Sequence, residues 1–229
     1  PAPAGAGASP PPAACTPVAE TLFLDAHLHF YPFFDRDLLF DALAANAARL
    51  APGAVPAAAL ARRGGQPPFR ELLAAGAGGG RWRVVRAPDP SCLVMGRDDG
   101  CEVHVFAARQ VAAAERIEAL GLPGDAEVPD GLPLAETLAR LRVAGLIPVL
   151  AWGLGKWLFG RAGVVRAVLA DASPRELMIG DSALRPSFLG TPRPMATARQ
   201  RGLRVLCGSD PLPRAGEERC AGMYATLVA

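Results

Sequence analysis

Residues 134–152 read LAETLARLRVAGLIPVLAW, an amphipathic pattern followed by a short apolar run. The first part places leucine and alanine at helical spacing and ends at Gly145, which is typical of a helix terminus. The run LIPVLAW has the length and apolar character of a buried strand. A helix that leads into a buried strand belongs to a βαβ arrangement, so this stretch indicates an α/β fold.

The same alternation continues towards the C-terminus. Residues 161–173 have apolar residues at helical spacing, and ELMIG at 176–180 predicts another buried strand. Residues 192–202 predict a helix, and LRVLCGSD at 203–210 predicts the last strand. Strands and helices that alternate in units of roughly 30 residues form parallel strands joined by crossover helices.

The N-terminal half is less regular. TLFLDA at 21–26 predicts a buried strand, and residues 37–51 predict a helix that ends at Pro52 and Gly53. Residues 51–80 are rich in Ala, Gly, Pro and Arg and are expected to be irregular, apart from a short helix around FRELLAA. The segments that follow are three strands (RWRVVRA, SCLVMG and CEVHVFAA), a helical or mixed segment (112–122) and a loop (122–133).

Polar clusters follow the predicted strands of the C-terminal half: GLGK, GDSALRP and GSDPLP. When parallel strands close into a barrel, their C-terminal ends face one side, so such clusters meet at one mouth. We therefore predict a distorted, TIM-like (β/α) barrel of seven or eight strands, a single domain over residues 21–229, in preference to an open sheet. Residues 1–20 are expected to be a disordered Ala/Pro-rich tail. The missing initial Met and the lack of a closing signal at the C-terminus leave open that the sequence is a fragment.

Composition argues against several classes of partner. The net charge is +2 without a basic run, and aromatic residues make up 6%, which counts against nucleic acid. No apolar run approaches the ~18 residues of a membrane-spanning helix, so no membrane is expected. The 5 cysteines form no CxxC pair and are expected to be reduced and structural, which favours a cytoplasmic location. The oligomeric state is not predicted.

Asp25, His27 and His29 occupy alternate positions in LFLDAHLHFYPFFD (22–35), which contains two of the 3 histidines. Alternate residues of a strand share a face, so the three side chains point the same way. Two imidazoles can approach one ion at ~2.0–2.1 Å, with the carboxylate as a ligand or as an orienting group behind it. The alternative is a pair of ordinary core or surface histidines. The third histidine, His104, is expected to be buried without a role.

Lys156 is the single lysine of a chain that otherwise uses arginine. Burial can lower the pKa of an ammonium group, whereas a guanidinium stays protonated. We expect Lys156 to hold a substrate anion or to act as an acid or base. The alternative is a solvated surface lysine.

Further charged residues lie where predicted strands end. Asp181 is expected at the barrel mouth, and Arg185 and Arg109 each offer a fork for carboxylate or phosphate. Asp210 precedes Pro211 and is expected to project from the last strand into the same mouth. The alternative for Asp210 is a turn-forming role.

Four sequence motifs together resemble those of a known superfamily. LFLDAHLHFYP resembles the opening strand motif of the amidohydrolase and PHP (polymerase and histidinol phosphatase) superfamilies of metal-dependent hydrolases. ERIEALGL, LAETLARLRVAGLIPVLAWGLGK and LRVLCGSDPLP resemble later PHP motifs in the same order. The resemblance covers residues 21–212 and implies a barrel of the PHP/amidohydrolase type.

The resemblance also implies a ligand set. His27, His29 and Asp210 keep the expected residue types, and Glu118 is a suitable substitute at the histidine of the middle motif. Trp152 and Leu212 replace motif histidines, and Gln110 stands near the usual glutamate. A trinuclear site cannot be assembled from these residues, but a mononuclear one can.

The function expected from this resemblance is metal-dependent hydrolysis. One divalent ion (Zn, Mn or Fe) would be held by His27, His29, Asp210 and Glu118, with Asp25 behind the ligands.

Asp181, Glu118 or Lys156 would handle protons, and in the amidohydrolase manner Lys156 would alternatively carry a carbamate. Lys156, Arg185 and Arg109 would hold a small anionic substrate, a phosphoester or a carboxylated amide. The alternative is a non-catalytic barrel of this kind that binds a small anion or a partner protein.

Overall fold

The computed structural model of the chain describes residues 21–74, 80–153, 155–157 and 160–229. The tail predicted at residues 1–20 lies outside the described residues. The strands are β1 (Leu22–Leu28), β2 (Val55–Arg62), β3 (Arg83–Asp89), β4 (Cys92–Gly96), β5 (Glu102–Ala112), β6 (Glu118–Leu122), β7 (Ile147–Ala151), β8 (Met178–Ser182), β9 (Val205–Gly208) and β10 (Thr226–Val228). The helices are α1 (Arg36–Leu50), α2 (Phe69–Ala74), α3 (Leu134–Val143), α4 (Arg161–Asp171) and α5 (Arg193–Gln200).

The described strands form one mixed sheet. Its main path follows the order β10–β1–β2–β5–β6–β7–β8–β9, and β3 and β4 form a hairpin attached to β5. Strands β1, β2 and β5 are parallel to one another, as are β7, β8 and β9. Strand β6 is antiparallel to both β5 and β7 and joins the two parallel groups.

The two ends of this path meet, so the sheet curls into a nearly closed barrel. The backbone N–H of Asp210, just after β9, donates to the carbonyl oxygen of His27 in β1 at 2.8 Å. The N–H of Cys207 in β9 donates to the Thr226 hydroxyl in β10 at 2.8 Å, and β10 pairs with β1. The expected α/β barrel is therefore present in outline. It differs from a regular (β/α) barrel in its antiparallel centre.

Strand β2 lies in the segment expected to be irregular, so that expectation is wrong for Val55–Arg62. Its sequence, VPAAALAR, is rich in alanine, a poor strand former by propensity. Ala57 to Ala61 are almost completely buried between β1 and β5. Burial on both faces and pairing on both edges outweigh the weak local preference.

Strand β6 lies in the segment expected to be helical or mixed. Residues 112–122 instead form the end of β5, a turn and β6, with Ala112 opposite Glu118. Alanine and glutamate favour a helix locally, but pairing with β5 and β7 overrides that preference. Strand β10 was also not expected, because Thr226–Val228 is too short to give a periodic signal.

Three groups of buried apolar side chains form the core. One lies under α1 and the β3–β4 hairpin and includes the fully buried Phe40 and Trp82, and another packs α3, α4 and α5 against β6, β7 and β8. A third draws small residues, mostly alanine, from several strands, as expected for the inside of a narrow barrel. None of the helices in the described part of the chain is long and apolar enough to cross a membrane.

Candidate metal centre

His27 and His29, at the end of β1, meet Asp210, which follows β9. One ligand atom from each residue lies within 4.8 Å of the others. Oδ1 of Asp210 is 3.6 Å from Nε2 of His27 and 3.5 Å from Nε2 of His29. Two donors bound tetrahedrally to one Zn²⁺ would be about 3.3 Å apart, so these separations suit a shared ion after a small adjustment. The geometry thus brings together three of the four predicted ligands.

The imidazole of His29 is oriented as a ligand would be. Its Nδ1 lies 2.9 Å from the carbonyl oxygen of Ala61 in β2. Because a carbonyl only accepts, Nδ1 carries the proton and Nε2 keeps a lone pair facing Asp210. Burial and the neighbouring His27 lower the pKa of His29 to about 3. The ring is therefore neutral at pH 7 and ready to bind a cation.

His27 faces two oxygen atoms. In addition to Asp210, its Nε2 lies 3.4 Å from Oε1 of Gln110 in β5. Both histidines are almost completely buried. The side-chain amide of Gln110 therefore places a neutral hydrogen-bond acceptor beside the same imidazole. Sequence reasoning noted this residue only as a departure from a motif.

Asp210 is held in place by its backbone and by Ser182. Its φ of 49° lies in the left-handed region, which costs a non-glycine residue free energy but is best tolerated by Asn and Asp. Oδ2 accepts a hydrogen bond from the Ser182 hydroxyl at 3.1 Å, which leaves Oδ1 towards the histidines. Strained backbone of this kind is common where a side chain has a functional task.

Asp25 does not contact either imidazole, contrary to the orienting role expected for it. Its carboxylate accepts hydrogen bonds from the Ser209 hydroxyl at 2.5 Å and from the backbone N–H groups of Ser209 and Gly222, both at 2.9 Å. Burial raises the pKa of Asp25 despite these bonds. Asp25 therefore ties β1 to the loop that carries Asp210, and it supports the site through the backbone.

Glu118 is not part of the cluster formed by the three other predicted ligands. Its Oε2 lies 2.5 Å from Nζ of Lys156, so the carboxylate and the only lysine neutralise each other. Glu118 does contribute, with Asp210, to the electrostatic field at the Tyr31 hydroxyl. The pair therefore lies in the neighbourhood of the cluster without joining it.

Asp181 and Arg185 form an ion pair with two hydrogen bonds. Arg185 donates through Nε and Nη2 to the two oxygens of Asp181 at 2.8 and 2.7 Å, and the Tyr224 hydroxyl donates to Asp181 at 2.7 Å. Burial by itself raises the pKa of Asp181, but the hydrogen bonds from Arg185 and Tyr224 hold it below its usual value. Arg185 therefore does not present a free fork in this structure, contrary to expectation, and the proton-handling role of Asp181 stays a prediction.

Arg109 is buried and faces the protein interior. It donates to the carbonyl oxygens of Arg62, Gln110 and Val128 at 3.3, 2.8 and 3.0 Å. A buried guanidinium committed to backbone carbonyls does not hold a substrate anion. The expected clamp at Arg109 is therefore also wrong in this structure.

Tyr31 and Arg63 were missed by sequence reasoning. The ring of Tyr31 packs on His29 with centroids 5.6 Å apart, and Arg63 is close enough to oppose the rise that burial causes in the pKa of the Tyr31 hydroxyl. Tyr31 continues the alternation of positions 25, 27 and 29, a signal that was available in the sequence. Arg63 follows β2 directly, and it was missed because that strand was missed.

The fold is a barrel-like α/β fold, and within the described residues two histidines and an aspartate form a group that could hold one metal ion. No protein-family model and no curated protein matches this chain. Among solved structures it is similar to PsfC from Pseudomonas syringae PB-5123, with 15% sequence identity and a TM-score of 0.50, over 84% of this chain and 77% of that chain. At this identity the similarity concerns the fold alone.

Proposed function

We propose that the chain is a metal-dependent hydrolase that acts on a small anionic substrate through a water molecule activated by one divalent ion, Zn, Mn or Fe. The observation that carries the proposal is the meeting of His27, His29 and Asp210 within 4.8 Å. Two imidazoles and a carboxylate are a ligand set common to hydrolytic zinc sites. The motif resemblance to the PHP and amidohydrolase superfamilies adds support, and a barrel of that type is part of the proposal.

Three protein ligands would leave a coordination position for water and substrate. The ion, when bound, lowers the pKa of bound water towards ~7 and polarises the scissile group. Nε2 of His27, Nε2 of His29 and Oδ1 of Asp210 would hold it. Ser182 fixes the second oxygen of Asp210, and Ala61 fixes the ring of His29.

Proton transfer would involve Glu118 and Lys156, and Tyr31 would serve as a hydrogen-bond donor. Asp181 is engaged with Arg185 and Tyr224, whereas Glu118 pairs with the predicted proton-handling Lys156 and acts on Tyr31 beside the cluster, which makes Glu118 the better placed of the two predicted carboxylates. Burial raises the pKa of Tyr31, so its phenol keeps its proton at pH 7 and serves as a hydrogen-bond donor beside His29. Such a donor stabilises negative charge that develops on the substrate.

Metal content tests the proposal. Protein purified without chelator and loaded with Zn²⁺ or Mn²⁺ should retain close to one equivalent after desalting, and His27→Ala should retain less than about a tenth. His104→Ala is the matched control, since His104 lies in β5 and outside the described cluster. Wild-type protein that retains no metal would overturn the proposal. A phosphoesterase and amidase screen of the loaded protein then tests the reaction.

A non-catalytic barrel that binds a small anion or a partner protein is the second candidate. It is favoured by Trp152, which is buried in the core, and by Leu212, which is 43% exposed, at positions where the related motifs have histidine. Metal retention together with no hydrolysis across both substrate classes would favour this candidate.

A further inference from the structure

A cleft of about 390 Å³ lies next to the cluster. This volume falls within the range of small-molecule sites. Its lining consists of polar side chains and short backbone segments at the ends of β2 and β5 and in the loop before α3. The lining residues are Arg63, Gly64, Gln66, Gln110, Ala112 and Asp130.

Two lining residues connect the cleft to the neighbourhood of the histidines. Gln110 lines the cleft and also lies 3.4 Å from Nε2 of His27. Arg63 lines the cleft and lies near Tyr31, whose ring packs on His29 with centroids 5.6 Å apart. Gln110 is therefore the residue through which the cleft adjoins the candidate ligand His27.

Arg63 is the cation of this region that remains available to a ligand. Within the described part of the chain it forms no ion pair with a carboxylate, whereas its neighbour Arg62 pairs with Asp125 and Glu127. The backbone N–H of Arg63 donates to Oε1 of Gln66 at 2.7 Å within this loop. Arg63 therefore offers an exposed guanidinium at the cleft, whereas those of Arg109 and Arg185 are engaged with other groups.

Asp130 places a negative charge in the same cleft. The backbone N–H of Ala112 donates to its Oδ1 at 2.9 Å and so fixes the carboxylate. A Cβ on Gly64 would lie 2.8 Å from Oδ2 of Asp130, so a glycine leaves room for this oxygen. Within the described residues Asp130 and Arg63 form no ion pair with each other, although both line the cleft.

We propose that this cleft binds a small zwitterion, with its carboxylate on Arg63 and its ammonium group on Asp130. One cation and one anion in a single cleft suit a molecule with one charge of each sign better than a doubly negative phosphate ester. The inference rests on the proposed function for its chemistry and narrows the substrate class to a carboxylated amide that also bears an amine, as in a dipeptide.

The reaction consistent with such a substrate is amide hydrolysis. The oxygen of one water molecule bonds to the carbonyl carbon, and the C–N bond breaks. The leaving nitrogen takes a proton, so that one water is consumed and a carboxylate and an amine are released. No oxidant or further reactant is required.

Binding of glycylglycine to the metal-loaded full chain, measured by calorimetry, tests the inference. Arg63→Gln and Asp130→Asn should each weaken binding roughly 10- to 100-fold, the loss expected for one charge-assisted hydrogen bond. Arg175→Gln, an exposed arginine in the turn before β8, is the matched control and should bind as the wild type does. N-acetylglycine, which lacks the ammonium group, tests Asp130 without a mutation and should bind at least tenfold more weakly than glycylglycine.

The inference is overturned by any of three results: no binding of glycylglycine, unchanged affinity in Arg63→Gln, or tighter binding of inorganic phosphate than of glycylglycine. Metal content is measured on the same samples and should be unaffected in Arg63→Gln. Loss of metal from the wild-type protein would contradict the proposed function. Normal metal content together with an unchanged affinity of Arg63→Gln for glycylglycine would contradict only the proposal that the cleft is the binding site.

Discussion

Asp210 and His27 are joined through both backbone and side chain. The N–H of Asp210 donates to the carbonyl oxygen of His27 at 2.8 Å, and Oδ1 of Asp210 lies 3.6 Å from Nε2 of His27. The contact that brings the ends of the barrel together is thus also the contact that assembles the candidate ligands. Closure of the barrel and formation of the site are expected to depend on each other.

Gly208→Ala tests this dependence. An added Cβ would lie 2.8 Å from Cα of His27 and closer still to its backbone nitrogen, so β9 would have to move away from β1. We expect a loss of about 1–3 kcal/mol or more in the free energy of unfolding, together with loss of metal retention. Urea denaturation and metal analysis measure the two effects.

Gly163→Ala is the control for that substitution. Gly163 lies within α4, and an added Cβ would meet nothing within 4 Å, so alanine should stabilise the chain by roughly 0.5–1 kcal/mol. Equal stability of the two variants would argue against tight closure between β1 and β9.

Asp210→Asn should separate ligation from folding. Asparagine tolerates the left-handed φ of 49° and retains an oxygen for the Ser182 hydroxyl, so the free energy of unfolding without metal should change by less than about 0.5 kcal/mol. Metal affinity should fall by more than the roughly 10–100-fold typical of losing an outer hydrogen-bond partner. A metal affinity of Asp210→Asn equal to that of the wild type would show that Asp210 is not a metal ligand.

Arg185→Met should destabilise the chain strongly. The side chains of Asp181 and Arg185 are only 4% and 15% exposed, so removing the guanidinium leaves a buried carboxylate without its main partner. A loss of roughly 3–5 kcal/mol in the free energy of unfolding is expected. Arg140→Met breaks the exposed pair with Glu136 and should cost less than about 0.5 kcal/mol. Similar losses in both variants would contradict this account.

Asp181 also makes stability depend on pH. Its pKa in the folded chain is lowered from the usual Asp value of about 3.9, so near pH 4 the folded state binds fewer protons than the unfolded state. The contribution is complete above about pH 5 and is lost as the pH falls through the lowered pKa. Unfolding free energies of wild type and Asp181→Asn from pH 2 to 6 should show a flatter dependence in the variant; parallel curves would show that Asp181 does not titrate as stated.

Lys156→Arg tests the significance of the lone lysine. Arginine can keep the pair with Glu118, so the folded structure should be preserved, but it cannot exchange a proton near pH 7. If Lys156 handles protons, hydrolytic activity should fall roughly 10²-fold or more with little change in the melting temperature. An active Lys156→Arg enzyme would show that the ammonium group is needed only for its charge.

The alternation of helices and strands after residue 134 was predictable, because apolar periodicity is a local property of the sequence. Strands β2 and β6 were not predictable in the same way. Their alanine and glutamate residues favour helix or give no signal, and only pairing on both edges makes them strands. As a result Arg63, which follows β2, was also missed.

His27 and His29 could be named as candidate ligands from residue type and spacing, since two histidines at alternate positions share a face of a strand wherever that strand lies. Asp210 was added as a ligand by the motif resemblance. Which charged residues are free to act was decided by tertiary structure. Arg185, Arg109, Asp181 and Lys156 all looked available in the sequence, yet each is bonded to groups inside the fold. A linear sequence specifies what chemistry each side chain carries, but its partners are set by burial and by contacts between distant strands, and a buried charge without a partner is too costly to keep.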